Sequence, residues 1–348
     1  MIRHKVKDTD RDHIVHILPD LRVYGCYSTA LTISQALQKQ YSHTLLYESS
    51  LNDIHPELLW QAQAAGMSIL QADITPELLD KHDYTAAILY NVQGHAGVGA
   101  VVPSIYYSYG VYDTTAGGDV VVACSAHACR RRRYADDSTG PNVCLDPTNI
   151  IPPLVNTRAL RRIRVPAHPF TVGVFTSGAY EKYPSRAVIQ LLSKLPANTR
   201  LLLSTLDRYP HPGVTTALED RIKRYPGTLV QCPVRPLATV PYMAPADVVL
   251  YASAEAHEEP YGRLVVEALA MGKPVICERK GVFKETLKHG VDALLYDNID
   301  EALGYVEQIR NDREIVGKLG TNAQMRASWE DVSVHIGKLK RTLRMIGA

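Results

Sequence analysis

The sequence lacks a long apolar run. No stretch of its 348 residues approaches the roughly 18 consecutive apolar residues that a membrane-spanning helix requires. Residues 1–12, MIRHKVKDTDRD, also lack the apolar segment of a secretion signal. We therefore expect a cytoplasmic protein, with peripheral membrane contact as the one membrane association left open.

The sequence also lacks a large excess of positive or negative charge, and its cysteines are not clustered. The 38 Lys and Arg residues against 36 Asp and Glu residues give a net charge of +2, too close to zero to attract nucleic acid or membranes through the field of the whole chain. The six cysteines are scattered, and no pair has the spacing of a zinc site. This usage predicts buried, reduced thiols.

The sequence does contain a regular alternation of short apolar runs with helix-periodic stretches, which is typical of α/β proteins with helices on both faces of parallel sheets. A chain of this length exceeds one hydrophobic core, so two domains are expected. Strands are predicted at 13–18, 44–48, 68–70, 85–90, 104–107, 119–123, 171–175, 200–204, 228–232, 247–251 and 274–277, and helices at 28–40 and 56–65 among others. The proline-rich, basic stretch 150–169 predicts a linker, which puts the first domain at 1–160 and the second at 161–330.

The most informative segment is EEPYGRLVVEALAMGKPVICE at 258–278, between two predicted strands. Gly262 opens the predicted helix and lets the backbone approach a ligand. The backbone N–H groups around Gly262, Arg263 and Leu264, together with the helix dipole, favour a diphosphate. The segment therefore predicts an anion-binding helix start.

Two carboxylates in this segment are separated by seven residues. Glu259 precedes the helix at the carboxyl end of a strand, where α/β sheets bind ligands, and Glu267 lies over one turn inside it, where it can accept from the two hydroxyls of a ribose. This pair, followed by the Gly-x-Pro-Val strand entry at 272–275, resembles the retaining GT-B glycosyltransferase family that includes glycogen synthase and sucrose synthase. In that family the first Glu holds the donor sugar and the second holds the ribose.

The resemblance covers nearly all of the second half. GVFKETLKHGVDALLYDN at 281–298 is similar to the loop and helix after the family's donor site, and LGTNAQMRASWEDV at 319–332 to its closing helices. The resemblance implies two Rossmann-like, doubly wound domains facing a cleft: an acceptor domain, to which a C-terminal helix at 331–348 returns, and a nucleotide-sugar domain.

The same resemblance implies the ligands. The donor is expected to be a UDP- or GDP-sugar in preference to an ADP-sugar, and the acceptor a hydroxyl of a glycan, a lipid or a modified nucleic-acid base. No cofactor, metal or obligate protein partner is implied. The D-x-D at residues 8–10 has the form that metal-dependent glycosyltransferases use, but it precedes the first strand and lacks their context.

Two further family elements are only partly present. The family's Lys at the departing diphosphate matches Lys182, but Thr176 and Ser177 stand where the family has an Arg, which leaves Lys182, Arg263 and helix N-termini to neutralise the leaving group. Gly25 matches one glycine of the pair that the family places between its first strand and helix. A single glycine there argues against a dinucleotide-binding dehydrogenase, which has G-x-G-x-x-G in this turn.

Acceptor chemistry has the weakest match. Tyr109 aligns with the family's active-site His, and His95 in the glycine-rich loop 91–99 is a second candidate, with a surface or core role as its alternative. The chain has one strong charge run, Arg130, Arg131, Arg132 and Arg133. This run is either a solvated helix face or a contact for an anionic acceptor or membrane surface.

The predicted activity is hexosyl transfer with retention of anomeric configuration. Two alternatives stay open: a GT-B sugar-nucleotide epimerase, and a catalytically impaired protein that binds sugar nucleotides or nucleic acid. The missing Arg is compatible with impairment, whereas the presence of both Glu259 and Glu267 favours an active transferase.

Overall fold

The computed structural model of the chain describes residues 11–18, 24–48, 56–90, 98, 101–108, 120–129, 150–161, 163, 169–176, 182–204, 212–232 and 239–348. The chain divides into two compact units, Met1–Val155 together with Val332–Ala348, and Asn156–Asp331. The boundary lies earlier than the predicted one at residue 160. Thr157 gives the reason, because its N–H and hydroxyl donate to the Asp331 carboxylate at 3.1 and 2.8 Å, within the second unit.

Each unit contains one six-stranded parallel sheet, which confirms the predicted α/β class. The strands of the first sheet are β1 Asp12–Leu18, β2 Tyr41–Tyr47, β3 Met67–Gln71, β4 Ala86–Tyr90, β5 Ser104–Ser108 and β6 Val120–Ala123. Those of the second are β7 Thr171–Val174, β8 Arg200–Ser204, β9 Leu229–Cys232, β10 Val248–Tyr251, β11 Val275–Glu278 and β12 Leu294–Tyr296. The orders β3-β2-β1-β4-β5-β6 and β12-β11-β10-β7-β8-β9 are the same doubly wound order within each unit.

Helices occupy the connections between strands. Their bounds are α1 Tyr24–Leu37, α2 Pro56–Ala64, α3 Pro76–Asp80, α4 Thr157–Leu160, α5 Ser185–Lys194, α6 Pro212–Arg224, α7 Thr239–Met243, α8 Arg263–Ala270, α9 Phe283–Thr286, α10 Ile299–Asn311, α11 Arg313–Ser328 and α12 Val332–Met345. Side-chain caps start several of them; Asn298, for example, accepts from Glu301 N–H at the start of α10. No helix within these described ranges is long and apolar enough to cross a membrane.

Strand β10 separates two apolar layers of the second unit. Val248 and Leu250 belong to the layer that includes side chains of α5 and α10, whereas Val249 and Tyr251 belong to the layer that includes α8 and α9. This alternation follows from the two-residue period of a strand. It turns Tyr251, the last residue of β10, toward the start of α8.

Gly25 does not lie in the turn where it was predicted. The helix predicted at 28–40 begins at Tyr24, so Gly25 is inside its first turn, and its carbonyl accepts from the Thr29 hydroxyl at 2.8 Å. This bond from Thr29 to the carbonyl four residues back is an ordinary bond within a helix, which agrees with the helical position of Gly25. Gly25 is therefore a helical residue of the first unit.

A buried histidine pair lies in the first sheet. His16 Nδ1 is 2.9 Å from the Tyr90 hydroxyl, and His16 Nε2 is 3.0 Å from His43 Nδ1. Burial, followed by the charge of His13, lowers the pKa of His43 to about 4, and burial lowers the pKa of His16 well below its usual range. Both rings are therefore neutral in the folded protein at neutral pH.

Acidification is expected to destabilise the first unit. Because the pKa of His43 is depressed on folding, its contribution is intact above the unfolded pKa of about 6.5 and is lost as the pH falls toward 4. For His43 alone the loss is about 2 kcal/mol at pH 5. Urea unfolding at pH 7.5 and pH 5, followed by hydrogen-exchange labelling of β1 and β2, measures it. His43→Gln should flatten the dependence, and equal wild-type stabilities at the two pH values would contradict the assignment.

Candidate functional site

The candidate site lies at the carboxyl edge of the second sheet. Strands β7 and β10 are neighbours there although they are the first and fourth strands of their unit, and ligands bind where the strand order reverses in this way. Lys182 follows β7, and the loop 252–262 follows β10. The two segments are joined, because Ala254 N–H donates to the carbonyl of Lys182 at 2.9 Å.

Glu259 is held by three donors at this edge. Its Oε2 accepts from the Tyr251 hydroxyl at 2.7 Å and lies 3.3 Å from His257 Nε2, while its Oε1 accepts from the Gly262 N–H at 3.3 Å. The side chain is only 16% exposed. The carboxylate is thus fixed between the end of β10 and the start of α8.

The surroundings of Glu259 keep it ionised. Burial is the largest single influence and acts to raise its pKa, but the hydrogen bond from His257, the charge of Lys182 and the hydrogen bond from Tyr251 together outweigh it. The pKa of Glu259 is lowered to about 2 as a result. Lys182 is therefore close enough to act electrostatically on the same carboxylate.

The start of α8 needs glycine. Gly262 has a φ of 73°, and a Cβ built there would lie 2.3 Å from a ring carbon of Phe283. Gly281 has a φ of 57°, and a Cβ there would lie 2.9 Å from the backbone N and O of Glu259. The loop before α9 therefore packs directly against the loop before α8 and fixes the direction of the helix start.

Glu267 lies on α8 and is paired. Its Oε1 accepts from Arg263 Nε at 2.8 Å, one helical turn away, with both side chains less than a fifth exposed at 15% and 17%. Burial raises the pKa of Glu267, and the positive charge of Arg263 and its hydrogen bond act against that rise. The guanidinium of Arg263 is thus directed at a carboxylate.

Residues 238–326 match the family model described as Glycosyl transferases group 1. This match covers 89 of the 348 residues, all of them in the second unit. The matched region includes the whole of the loop 252–262, α8 and the loop that contains Gly281. Lys182 lies outside the matched region and is connected to it through the pairing of β7 with β10.

Solved structures of GT-B glycosyltransferases have the same fold over nearly the whole chain. A glycosyltransferase from Rickettsia africae is 14% identical over 97% of this chain and 99% of its own, with a TM-score of 0.76. HepE from Anabaena, solved with UDP-glucose, is 18% identical over 96% of this chain and 99% of its own, with a TM-score of 0.77. The sucrose-phosphate synthase of Thermosynechococcus elongatus is 15% identical over 96% and 100%, with a TM-score of 0.66. No curated protein matches the chain.

The predicted site residues fall into three groups. Five of them lie together on one strand-loop-helix segment of the matched region, namely Glu259, Gly262, Arg263, Leu264 and Glu267. Lys182 joins this group from the end of β7, whereas Gly25 belongs to the first unit. The remainder lie outside the described residues: His95, Tyr109, Arg130, Arg131, Arg132 and Arg133.

The sequence did not predict the residues that support Glu259, namely Tyr251 and His257, which bond to it, and Phe283, which packs against Tyr251. Tyr251 was included only in a predicted strand, and Phe283 only in a matched loop, yet their rings meet edge to face with centroids 5.1 Å apart beneath the start of α8. His257 was not singled out at all. One available signal was a tyrosine at the end of a buried strand, since a buried hydroxyl needs an acceptor.

A second carboxylate stabilises the loop after β10. Glu278, the last residue of β11, accepts from the Ser253 hydroxyl at 2.7 Å and lies 3.4 Å from Lys280 Nζ. Lys280 also donates to the carbonyl of Ala254 at 2.9 Å. These contacts, together with the bond between Ala254 N–H and the Lys182 carbonyl, hold the backbone of the loop that carries Glu259.

Proposed function

We propose that the protein transfers a sugar from a nucleotide diphosphate, with retention of anomeric configuration, to an acceptor hydroxyl. The single observation that carries this proposal is the arrangement of Glu259, Lys182 and the start of α8 at the reversal of strand order in the unit that contains the glycosyltransferase group 1 match. The UDP-glucose complex of HepE, on the same fold, supports a uridine nucleotide as the donor class.

The diphosphate is proposed to bind at the start of α8. The backbone N–H groups of the first turn and the helix dipole offer positive charge there. Glu267, further along the helix, is proposed to accept from the ribose hydroxyls. Because Arg263 donates through Nε to Glu267, we propose that it also orients that carboxylate, in addition to its expected role at the leaving group.

Lys182 is then the principal side-chain cation for the leaving group. Negative charge grows on the diphosphate as the bond between the anomeric carbon and the phosphate oxygen breaks, and a fixed positive charge stabilises that transition state more than the ground state. The positive charge of Lys182 helps to lower the pKa of Glu259, and the carbonyl of Lys182 accepts from Ala254 N–H, which together support a position beside the proposed donor sugar.

Retention is proposed to need no protein nucleophile. The acceptor oxygen attacks the anomeric carbon from the face that the diphosphate leaves, and the acceptor proton passes to an oxygen of the departing phosphate. Glu259 accepts a hydrogen bond from the sugar during this step and so keeps the sugar in its orientation. Lys182 and the α8 start supply the positive charge that a metal ion provides elsewhere, so we propose a metal-independent enzyme.

Substitution of the two site carboxylates tests this proposal, because each should fail in a different way. Glu267→Gln should mainly weaken binding of the nucleotide, by roughly ten- to 150-fold for the loss of a charge-assisted hydrogen bond. Glu259→Gln should reduce turnover while free UDP binds normally. Calorimetry with UDP and product release from a panel of UDP-, GDP- and ADP-sugars, each with and without EDTA, measure the two effects.

Three results of these assays would contradict the proposal. Full loss of activity in EDTA, restored by Mn²⁺, would remove the metal-independent mechanism. Weakened UDP binding in Glu259→Gln but not in Glu267→Gln would reverse the two roles. Conversion of one nucleotide sugar into its epimer without release of the sugar would replace transfer by epimerisation.

A further inference from the structure

The side chain of Tyr251 has a single polar group, its hydroxyl, and this group is buried beside an apolar layer. The residue is 4% exposed and closes β10 on the side of the sheet that faces α8. The Phe283 ring meets the Tyr251 ring edge to face, at 70° and 5.1 Å between centroids, which restricts the direction of the hydroxyl. The hydroxyl donates to Glu259 Oε2 at 2.7 Å, the length of a strong, charge-assisted bond.

The acceptor capacity of Glu259 is almost filled. An ionised carboxylate offers about four lone-pair positions, two on each oxygen. Tyr251 occupies one position on Oε2, and His257 Nε2 at 3.3 Å occupies the other, with the proton on that nitrogen because a carboxylate can only accept. Gly262 N–H occupies one position on Oε1. Among the bonds made by described residues, one position remains, on the oxygen that faces the start of α8.

We propose that Tyr251 and His257 are positioning residues that fix the Glu259 carboxylate, so that a single lone pair of Oε1 is presented to one hydroxyl of the donor sugar. The inference rests on the proposed function. It adds the residues that determine which sugar hydroxyl donates to Glu259. A carboxylate with one acceptor position selects one hydroxyl geometry, whereas a freely rotating carboxylate would accept from either of two neighbouring hydroxyls.

A merely structural role for Tyr251 makes a different prediction. In that case the hydroxyl bond would stabilise only the fold, and its loss would lower the unfolding temperature without changing discrimination between sugars. Tyr225 offers the matched comparison, because it is a buried tyrosine of the opposite apolar layer whose hydroxyl donates to the carbonyl of Thr199 at 2.9 Å. Tyr225→Phe deletes the same group without touching Glu259.

The test compares Tyr251→Phe, Tyr225→Phe and wild type with the best nucleotide-sugar donor and its monodeoxy analogues. Tyr251→Phe retains the ring against Phe283, so it should fold. We expect its kcat to fall about tenfold or more, with UDP affinity within about twofold of wild type. The monodeoxy donor that wild type uses least should be penalised much less in Tyr251→Phe, and Tyr225→Phe should keep the wild-type ratio.

His257 gives an independent measurement should Tyr251→Phe be unstable. His257→Ala should show the same loss of kcat and of discrimination, and His257→Gln, whose amide can again donate to Oε2, should restore part of both. Wild-type kcat and deoxy-sugar ratios in Tyr251→Phe and His257→Ala would overturn the inference while leaving sugar transfer intact. Failure of wild type to use any nucleotide sugar would instead overturn the proposed function, and this inference with it.

Discussion

Gly262→Ala is expected to weaken donor binding strongly. The glycine has a φ of 73°, and the added Cβ would lie 2.3 Å from Cε1 and 2.7 Å from Cζ of Phe283. That ring is itself 2% exposed and packed against Tyr251, so it cannot move aside easily. The start of α8 must shift instead, and both the Gly262 N–H bond to Glu259 and the proposed diphosphate site shift with it.

Gly290→Ala separates backbone strain from this clash. Gly290 has the same φ of 73°, but a Cβ there meets nothing within 4 Å. A left-handed alanine costs about 1–2 kcal/mol, which both variants should lose in unfolding free energy. Only Gly262→Ala should lose UDP binding by calorimetry, by about 100-fold or more if a helix start and a fixed carboxylate are both displaced.

A second-site change tests the cause. Phe283→Leu removes the ring edge that the alanine Cβ would meet, so Gly262→Ala combined with Phe283→Leu should bind UDP more tightly than Gly262→Ala alone. Equal UDP affinity in Gly262→Ala and Gly290→Ala would show that the helix start does not form the diphosphate site.

The sequence was sufficient for the part of the site that is continuous along the chain. Glu259, Gly262 and Glu267 lie on one strand-loop-helix segment, so their order along the chain places Glu259 before the helix, Gly262 at its start and Glu267 inside it. Lys182 could be predicted from its place after the first strand of the second unit. The pairing of Arg263 with Glu267 is also predictable, since residues four apart on a helix are neighbours, and the role of Arg263 at the leaving group stays a prediction.

Contacts between separate elements were not predictable in the same way. The bond from Tyr251 to Glu259 depends on which face of β10 the last residue takes, and on Phe283 arriving from another loop. Neither periodicity nor spacing fixes such a contact. Gly25 illustrates a related limit: α1 begins at Tyr24, earlier than the predicted residue 28, because the apolar period of a helix does not fix its first residue. The roles of His95 and Tyr109 stay predictions.

Lys182→Ala is expected to lower turnover by about 100- to 1,000-fold, the usual effect of removing one group that stabilises developing negative charge. Affinity for UDP should change little, because the charge of Lys182 is needed most in the transition state. Its loss also removes one of the influences that keep Glu259 ionised, although the hydrogen bonds of His257 and Tyr251 remain. Lys182→Arg retains the charge and should recover part of the activity.

Lys284 provides the control for a general loss of positive charge. It is exposed on α9, next to Phe283 in the chain, and Lys284→Ala should leave turnover at the wild-type rate. A similar loss of turnover in Lys284→Ala and Lys182→Ala would indicate a long-range effect of charge on the domain. Unchanged turnover in Lys182→Ala would exclude Lys182 from the reaction.

Nuclear magnetic resonance of the sugar released from a UDP-sugar tests the central claim most directly. With water as the acceptor, wild type should release a sugar whose first-formed anomer has the configuration of the donor, before mutarotation scrambles it, and Lys182→Ala should release the same anomer far more slowly. Release of the opposite anomer would contradict retention. The absence of any released sugar with every UDP-, GDP- and ADP-sugar, together with tight binding of one of them, would contradict glycosyl transfer itself.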